Sequence, residues 1–160
     1  KDKSAPFIVR TESGNIEVLG TEFNIKCYSD EIALVTTLVN GKVKFDDGIN
    51  PSVILKPEEQ LIFEKENSQS IVRKVNVNHY ISWKDNRLSF QGETLDMIMK
   101  TLSRWYNVEV VFEDSTLKAL EFSGNLDRFT DIQEFLSLFE LGVNVKFEVK
   151  NRTVYIRKGN

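Results

Sequence analysis

Gly14 and Gly20, followed at once by Thr21, have the residue types of a phosphate-binding loop. Such a loop needs a strand, free main-chain amides and a helix whose N-terminus faces the phosphate. It usually also carries a Lys just before the Ser or Thr. Here Leu19 and Gly20 precede Thr21, so that Lys is missing. Downstream, Phe23, Ile25 and Cys27 alternate with Asn24 and Lys26, which predicts a strand rather than a helix. The glycines therefore read as turn residues between strands.

The other reactive side chains are few. His79 is the only histidine, so it cannot be half of a histidine metal pair. It lies among strand-like residues in VNVNHYISW, where packing near a domain junction fits better than catalysis. Cys27 is the only cysteine and reads as a small buried hydrophobe. Asp46-Asp47, Glu58-Glu59 and Glu113-Asp114 are adjacent acids. Neighbours on a strand point to opposite faces, so spacing alone makes none of them a carboxylate dyad, and they read as solvated turn charges. Trp105 continues an apolar stripe and is expected in the core; Tyr106 follows it at the helix end. Spacing reveals no catalytic pair, metal cluster or cofactor loop, so a non-enzymatic binding or relay module without a cofactor is expected.

The elements that position these residues fall into two halves. FIVR, NIEVL, EFNIKCY, IALVTTLV, KVKFD, SVIL, QLIFEK and SIVRKVNV are short, rich in Val, Ile, Phe and Thr, and separated by turn residues. That pattern argues for a sandwich, barrel or solenoid. Asn40-Gly41 predicts a type I′ hairpin between the fourth and fifth strands. From Leu95 the period changes: Leu95, Ile98, Met99, Leu102 and Trp105 form a helical stripe with Thr94 as N-cap. Thr130-Asp131-Ile132-Gln133 reads as a capping box opening a second helix, with Ile132, Phe135, Leu136 and Phe139 inward. Gly142 is expected to be the left-handed residue past its end. Strands flank both helices, and SFQG and NVEVVFE are echoed by EFSG and NVKFEVK. This predicts a tandem strand–helix–strand repeat. The expected domains are 1–83, all β, and 84–160, α+β.

Bulk composition narrows the function classes. The chain has 160 residues, 41% apolar and 28% charged, as expected of a globular chain with a real core. A net charge of −3 leaves no basic excess for a phosphate backbone, so nucleic acid is not an expected partner. No run of about 18 apolar residues is present to span a bilayer. The opening KDKSAP has no signal-peptide pattern and reads as the middle of a longer protein.

Taken together, these residues resemble a known family. Val9, Thr11, Gly14, Ile16, Val18, Gly20, Thr21, Phe23 and Ile25 match the spaced signature of FecR-type proteins. LVNGKVKF resembles that family's following strand pair. LKPEEQL resembles its L-x-P-G-E-Q segment, with Glu58 where Gly is usual. SWKDNRLSF is similar to its W-x-x-G-x-L-x-F, with Asn86 for Gly. LDMIMKTLSRWYNVEVVF matches a further segment ending in R-W-Y-x-V-x-V. The resemblance covers Val9 to about Ile156.

It implies a twisted β-solenoid or sandwich-like first domain. The second would resemble the small signalling domains of secretins and TonB-dependent receptors, with two helices between a two-stranded and a three-stranded sheet. It also implies a role: the periplasmic region of a single-pass inner-membrane anti-sigma factor, joined to the membrane by an upstream helix. Its expected partner is the signalling domain of a TonB-dependent outer-membrane receptor. An extracytoplasmic-function sigma factor would bind a cytosolic region outside this chain. A relay domain of this kind docks through a strand edge. In NVEVVFE, Val108, Val110 and Phe112 are expected to face the core. Glu109, Val111 and Glu113 would then face out as partner-binding residues. Rival readings are a carbohydrate- or peptidoglycan-binding envelope module, a hydrolase built around His79, and a structural spacer.

Overall fold

The computed structural model describes residues 6–128 and 131–159. The chain divides between Ile81 and Ser82 into two compact units. The molecule is mainly β, with α+β character in the second unit.

The first unit holds β1 (Phe7–Thr11), β2 (Gly14–Val18), β3 (Glu22–Lys26), β4 (Ala33–Asn40), β5 (Val43–Asp46), β6 (Val53–Leu55), β7 (Glu59–Glu64) and β8 (Gln69–Lys74), then the short helix α1 (Val77–Ile81). They form two antiparallel sheets, ordered β1-β2-β5-β6 and β3-β4-β7-β8. Alternation along each strand buries one face. Ile16, Val18, Val43, Phe45 and Leu55 from one sheet share a core with Leu34, Leu38, Leu61 and Phe63 from the other. Phe45 and Phe63 meet across it, ring centroids 5.0 Å apart.

The Asn40-Gly41 hairpin does not form. β4 pairs with β3 and β7, whereas β5 pairs with β2 and β6, so the chain changes sheets at that point. Only Gly41 takes a positive φ there, +95°, so the turn is not type I′. The β2–β3 connection also changes sheets, through Gly20 at φ +61°. The two corners touch. The Thr21 hydroxyl accepts from the Lys42 amide (3.3 Å) and lies 3.0 Å from the Lys42 carbonyl. A Cβ on Gly41 would fall 2.7 Å from that hydroxyl, which is why only glycine fits. The opening glycine stretch is thus a corner clasp.

Polar groups run across the other face of the second sheet. Gln60, fully buried, donates to Thr37 Oγ1 (2.8 Å) and accepts from Arg73 Nε and Nη2 (3.0 and 2.7 Å). Arg73 reaches on to the Tyr80 hydroxyl of α1 at 3.3 Å. That helix replaces part of the strand expected in SIVRKVNV. Asn76 opens it by accepting from the Asn78 amide at 3.1 Å. His79 sits in α1, half-buried, within this unit.

The second unit holds β9 (Arg87–Thr94), α2 (Leu95–Tyr106), β10 (Glu109–Phe112), β11 (Glu121–Asp127), α3 (Ile132–Glu140), β12 (Val145–Lys150) and β13 (Thr153–Lys158). Strand–helix–strand occurs twice, and β9 pairs with β11 in a two-stranded sheet. The other sheet runs β10-β13-β12. Both helices share one core with both sheets. Phe139 is its aromatic centre, with Phe122 edge-on at 4.9 Å and Phe135 at 5.4 Å. Thr94 caps α2 by accepting from the Met97 amide. For α3 the N-cap is Asp131, which accepts from the Gln133 amide at 2.9 Å; Thr130 lies outside the described residues. Gly142 is not left-handed, because α3 ends with Leu141 still in the right-handed region.

Candidate functional site

β10 is an edge strand: it pairs only with β13, in parallel, from Glu109 opposite Thr153 to Phe112 opposite Ile156. Its entry is held from both sides. Asn107, the C-cap of α2, takes a left-handed φ of +53°, which asparagine tolerates. Its carbonyl accepts from Arg152 Nε and Nη2 at 3.1 and 2.8 Å. The Arg152 carbonyl in turn accepts from the Glu109 amide at 2.8 Å. These bonds set the register of β10 on β13.

The Glu113 amide donates to the Ile156 carbonyl at 2.9 Å. Successive strand residues aim their main-chain groups to opposite sides. Glu109, Val111 and Glu113 therefore use theirs on β13, and the amides and carbonyls of Val110 and Phe112 point to the free edge. The Val108 amide is already taken by the Ser103 carbonyl of α2 at 3.1 Å.

Side chains alternate at right angles to this. Val108, Val110 and Phe112 are partly buried and pack on the core. Glu109, Val111 and Glu113 are exposed, with Val111 at 40%. The strand places all six where the alternation in NVEVVFE puts them.

Beyond the strand, Asp114 caps the turn Ser115–Ala119. It accepts from the Thr116 amide and hydroxyl (2.9 and 2.6 Å) and pairs with Lys158 at 2.9 Å. The Thr116 hydroxyl, and after it Lys158, hold the Asp114 carboxyl down at about 2. The other adjacent acids also organise backbone. Asp47 accepts from the amides of Ile49 and Asn50, and the Asn50 side-chain amide above all lowers its pKa. Glu59 accepts from the Lys56 amide at 2.8 Å. They are turn-forming groups rather than simply solvated charges.

The remaining candidates scatter. Cys27 is partly rather than fully buried, against the first core. Trp105 and Tyr106 are partly buried against the second, with Arg128 over the Trp105 ring at 5.1 Å. Glu58 and Asn86, the two departures from glycine, both take left-handed φ, +69° and +55°. Glu58 is held there by its amide on the Leu38 carbonyl and its carbonyl on the Val75 amide. Among the described residues no three His, Cys, Asp or Glu side chains converge on a metal position. No helix among them is long and apolar enough to cross a membrane.

Comparisons with known proteins place this geometry. A crystal structure at 1.65 Å of a candidate anti-sigma factor from Parabacteroides distasonis matches 100% of this chain and 74% of that one, with TM-score 0.86 and 23% identity. A second, at 2.50 Å, gives the same values. At that identity the likeness establishes the fold. No curated protein matches the chain. Residues 87–156, which contain β10 and the whole three-stranded sheet up to Ile156, match the family model described as FecR, C-terminal. That segment, within the second unit, is similar to the C-terminal domain of FecR proteins.

Proposed function

We propose that this chain is the periplasmic signal-receiving region of a transmembrane FecR-type anti-sigma factor. In this reading it docks the signalling domain of a TonB-dependent outer-membrane receptor. The docking state is passed through an upstream membrane helix to a cytosolic region that holds an extracytoplasmic-function sigma factor. The match of residues 87–156 to the FecR C-terminal model supports the regulatory role. The observation that carries the docking mode is β10, an edge strand with free main-chain groups at Val110 and Phe112 and a buried inner face. A partner strand added there gains main-chain hydrogen bonds, while Glu109, Val111 and Glu113 select its side chains.

The test is titration of the chain with purified signalling domains of TonB-dependent receptors from the same genome. One of them should bind saturably. Val111→Asp should weaken that complex about tenfold or more, because a third carboxylate replaces the apolar centre of the strand. Val111 is exposed, so the variant should keep its fold and its thermal midpoint. Unchanged affinity in the folded variant removes β10 from the interface. Failure of every receptor domain to bind overturns the receptor-docking role itself.

A further inference from the structure

The solvent face of the β10-β13-β12 sheet has an ordered charge pattern. The register aligns two rows across it, Glu109, Thr153 and Lys150, and Val111, Tyr155 and Glu148. Just past β10, the Glu113 amide on the Ile156 carbonyl continues it to a third, Glu113, Arg157 and Lys146. Acids therefore lie along the β10 edge and lysines along the β12 edge, with Val111 and Tyr155 between them.

The two edges differ in how far their charges are met within the chain. Lys146 is paired with Glu140 and Lys150 with Glu148, both at 2.7 Å. Lys118, over the inward Phe112 ring, pairs with Asp96 at 3.6 Å. Among the described residues Glu109 and Glu113 have no ion-pair partner within the chain. Of the two edges, the one with unmet charge is the free β10 edge.

β13 already shows what chemistry fits beside these residues. On the paired side it sets Tyr155 next to Val111, and the Glu113 amide on the Ile156 carbonyl carries the same register on to Arg157 beside Glu113. Opposite charges side by side across strands stabilise, and like charges destabilise. We infer that the β10 edge is specific for a partner strand reading basic–x–apolar–x–basic, with Lys or Arg beside Glu109 and Glu113 and an apolar residue beside Val111. The pattern is a palindrome, so it fits in either strand direction. β12 of a second copy matches it less well, because Glu148 at its centre would lie against Val111. The inference rests on the strand-docking reading above and names the sequence pattern that docking selects.

The probes are two blocked peptides, Ser-Lys-Thr-Val-Thr-Lys-Ser and the same peptide with Glu for both Lys. Each is titrated into the full chain, followed through the amide resonances of Val110 and Phe112. The Lys peptide should shift both amides saturably and bind about tenfold tighter than the Glu peptide at low salt. High salt should shrink that preference. In the double variant Glu109→Lys/Glu113→Lys the preference should invert. The variant should stay folded, with a somewhat lower thermal midpoint because a Lys in place of Glu113 lies beside Arg157.

Equal binding of both peptides through these amides overturns the charge rule and leaves strand docking standing. No shift with either peptide overturns the charge rule and strand addition at this edge together. Receptor-domain binding measured separately still judges the regulatory role. A dimer of the unvaried chain in sedimentation, lost in the double variant, assigns the edge to a second copy and also overturns the inference.

Discussion

β8 and β10 are both edge strands, and they present their edges in opposite ways. Every residue of β8 is exposed, so neither face is anchored in a core. Its apolar pair, Ile71 and Val72, is adjacent in sequence and points to opposite sides, which leaves no apolar stripe on either face. Arg73 turns inward onto Gln60, and Lys74 ends the strand. Inward charge and terminal lysine are devices that discourage edge pairing. β10 instead buries one face, which fixes its register, and shows a single apolar residue between two acids on the other. A free edge becomes selective when one face is committed to a core and the other carries an ordered pattern.

The largest effect should come from removing what holds β8. Gln60→Leu deletes the acceptor for Arg73 and the donor to Thr37 in a fully buried position. A loss of about 2 kcal/mol is expected, since hydrogen bonds to a charged group are the stronger kind and Thr37 is left unmet. Hydrogen exchange should quicken in β8 while β10 keeps its protection. Equal loosening of both edges would mean that β8 is not held through Gln60.

Thr36 and Thr37, successive in β4, sharpen the same point inside the sheet. Both are fully buried, but Thr37 has Gln60 as its partner, whereas Thr36 Oγ1 faces the apolar core with no hydrogen-bond partner among the described residues. Thr36→Val should stabilise the chain by about 1 kcal/mol, because an unmet buried hydroxyl is replaced by a methyl group of similar shape. Thr37→Val should destabilise it by a similar amount. Thermal midpoints of the two variants should therefore move in opposite directions; movement in the same direction would break the distinction.

Most elements were legible in the chain, because burial of one face writes a period into the sequence. The period of two marks β2, β4 and β10, and the helical stripe marks α2 and α3. Which strands pair was not legible at the sheet-changing corners. Asn40-Gly41 announces a turn, but its direction depends on Thr21, which is distant in sequence and packs against Gly41. α1 escaped notice because five residues are too few to show a period, and Val75 and Val77 look like strand. The outward set Glu109, Val111 and Glu113 was readable from alternation alone. That it lies at an edge, with its charge unmet while the β12 lysines are paired, required the register of three strands.

The smallest effect concerns how acid loosens each edge. Asp114, at the end of β10, has its carboxyl lowered from 3.8 to about 2 by Thr116 and Lys158. A depressed carboxylate contributes stability that is fully present above its unfolded value and lost as pH falls through its folded value. The Asp114 contribution should therefore fade between pH 3.8 and about 2. The turn before β8 has an acid-sensitive anchor of its own. Asp47, also lowered, holds Asn50, whose side chain donates to the Ser68 carbonyl at 3.2 Å. Asp114→Asn keeps an acceptor for the Thr116 amide but removes the charge facing Lys158. It should flatten the acid limb of stability for the second unit and leave the response at Ser68 and Gln69 unchanged. Protection factors for Glu113 and Gln69, followed as pH is lowered, read the two edges separately. If Glu113 loses protection in the variant with the same pH dependence as in the parent chain, the Asp114–Lys158 pair is not what fastens the end of β10.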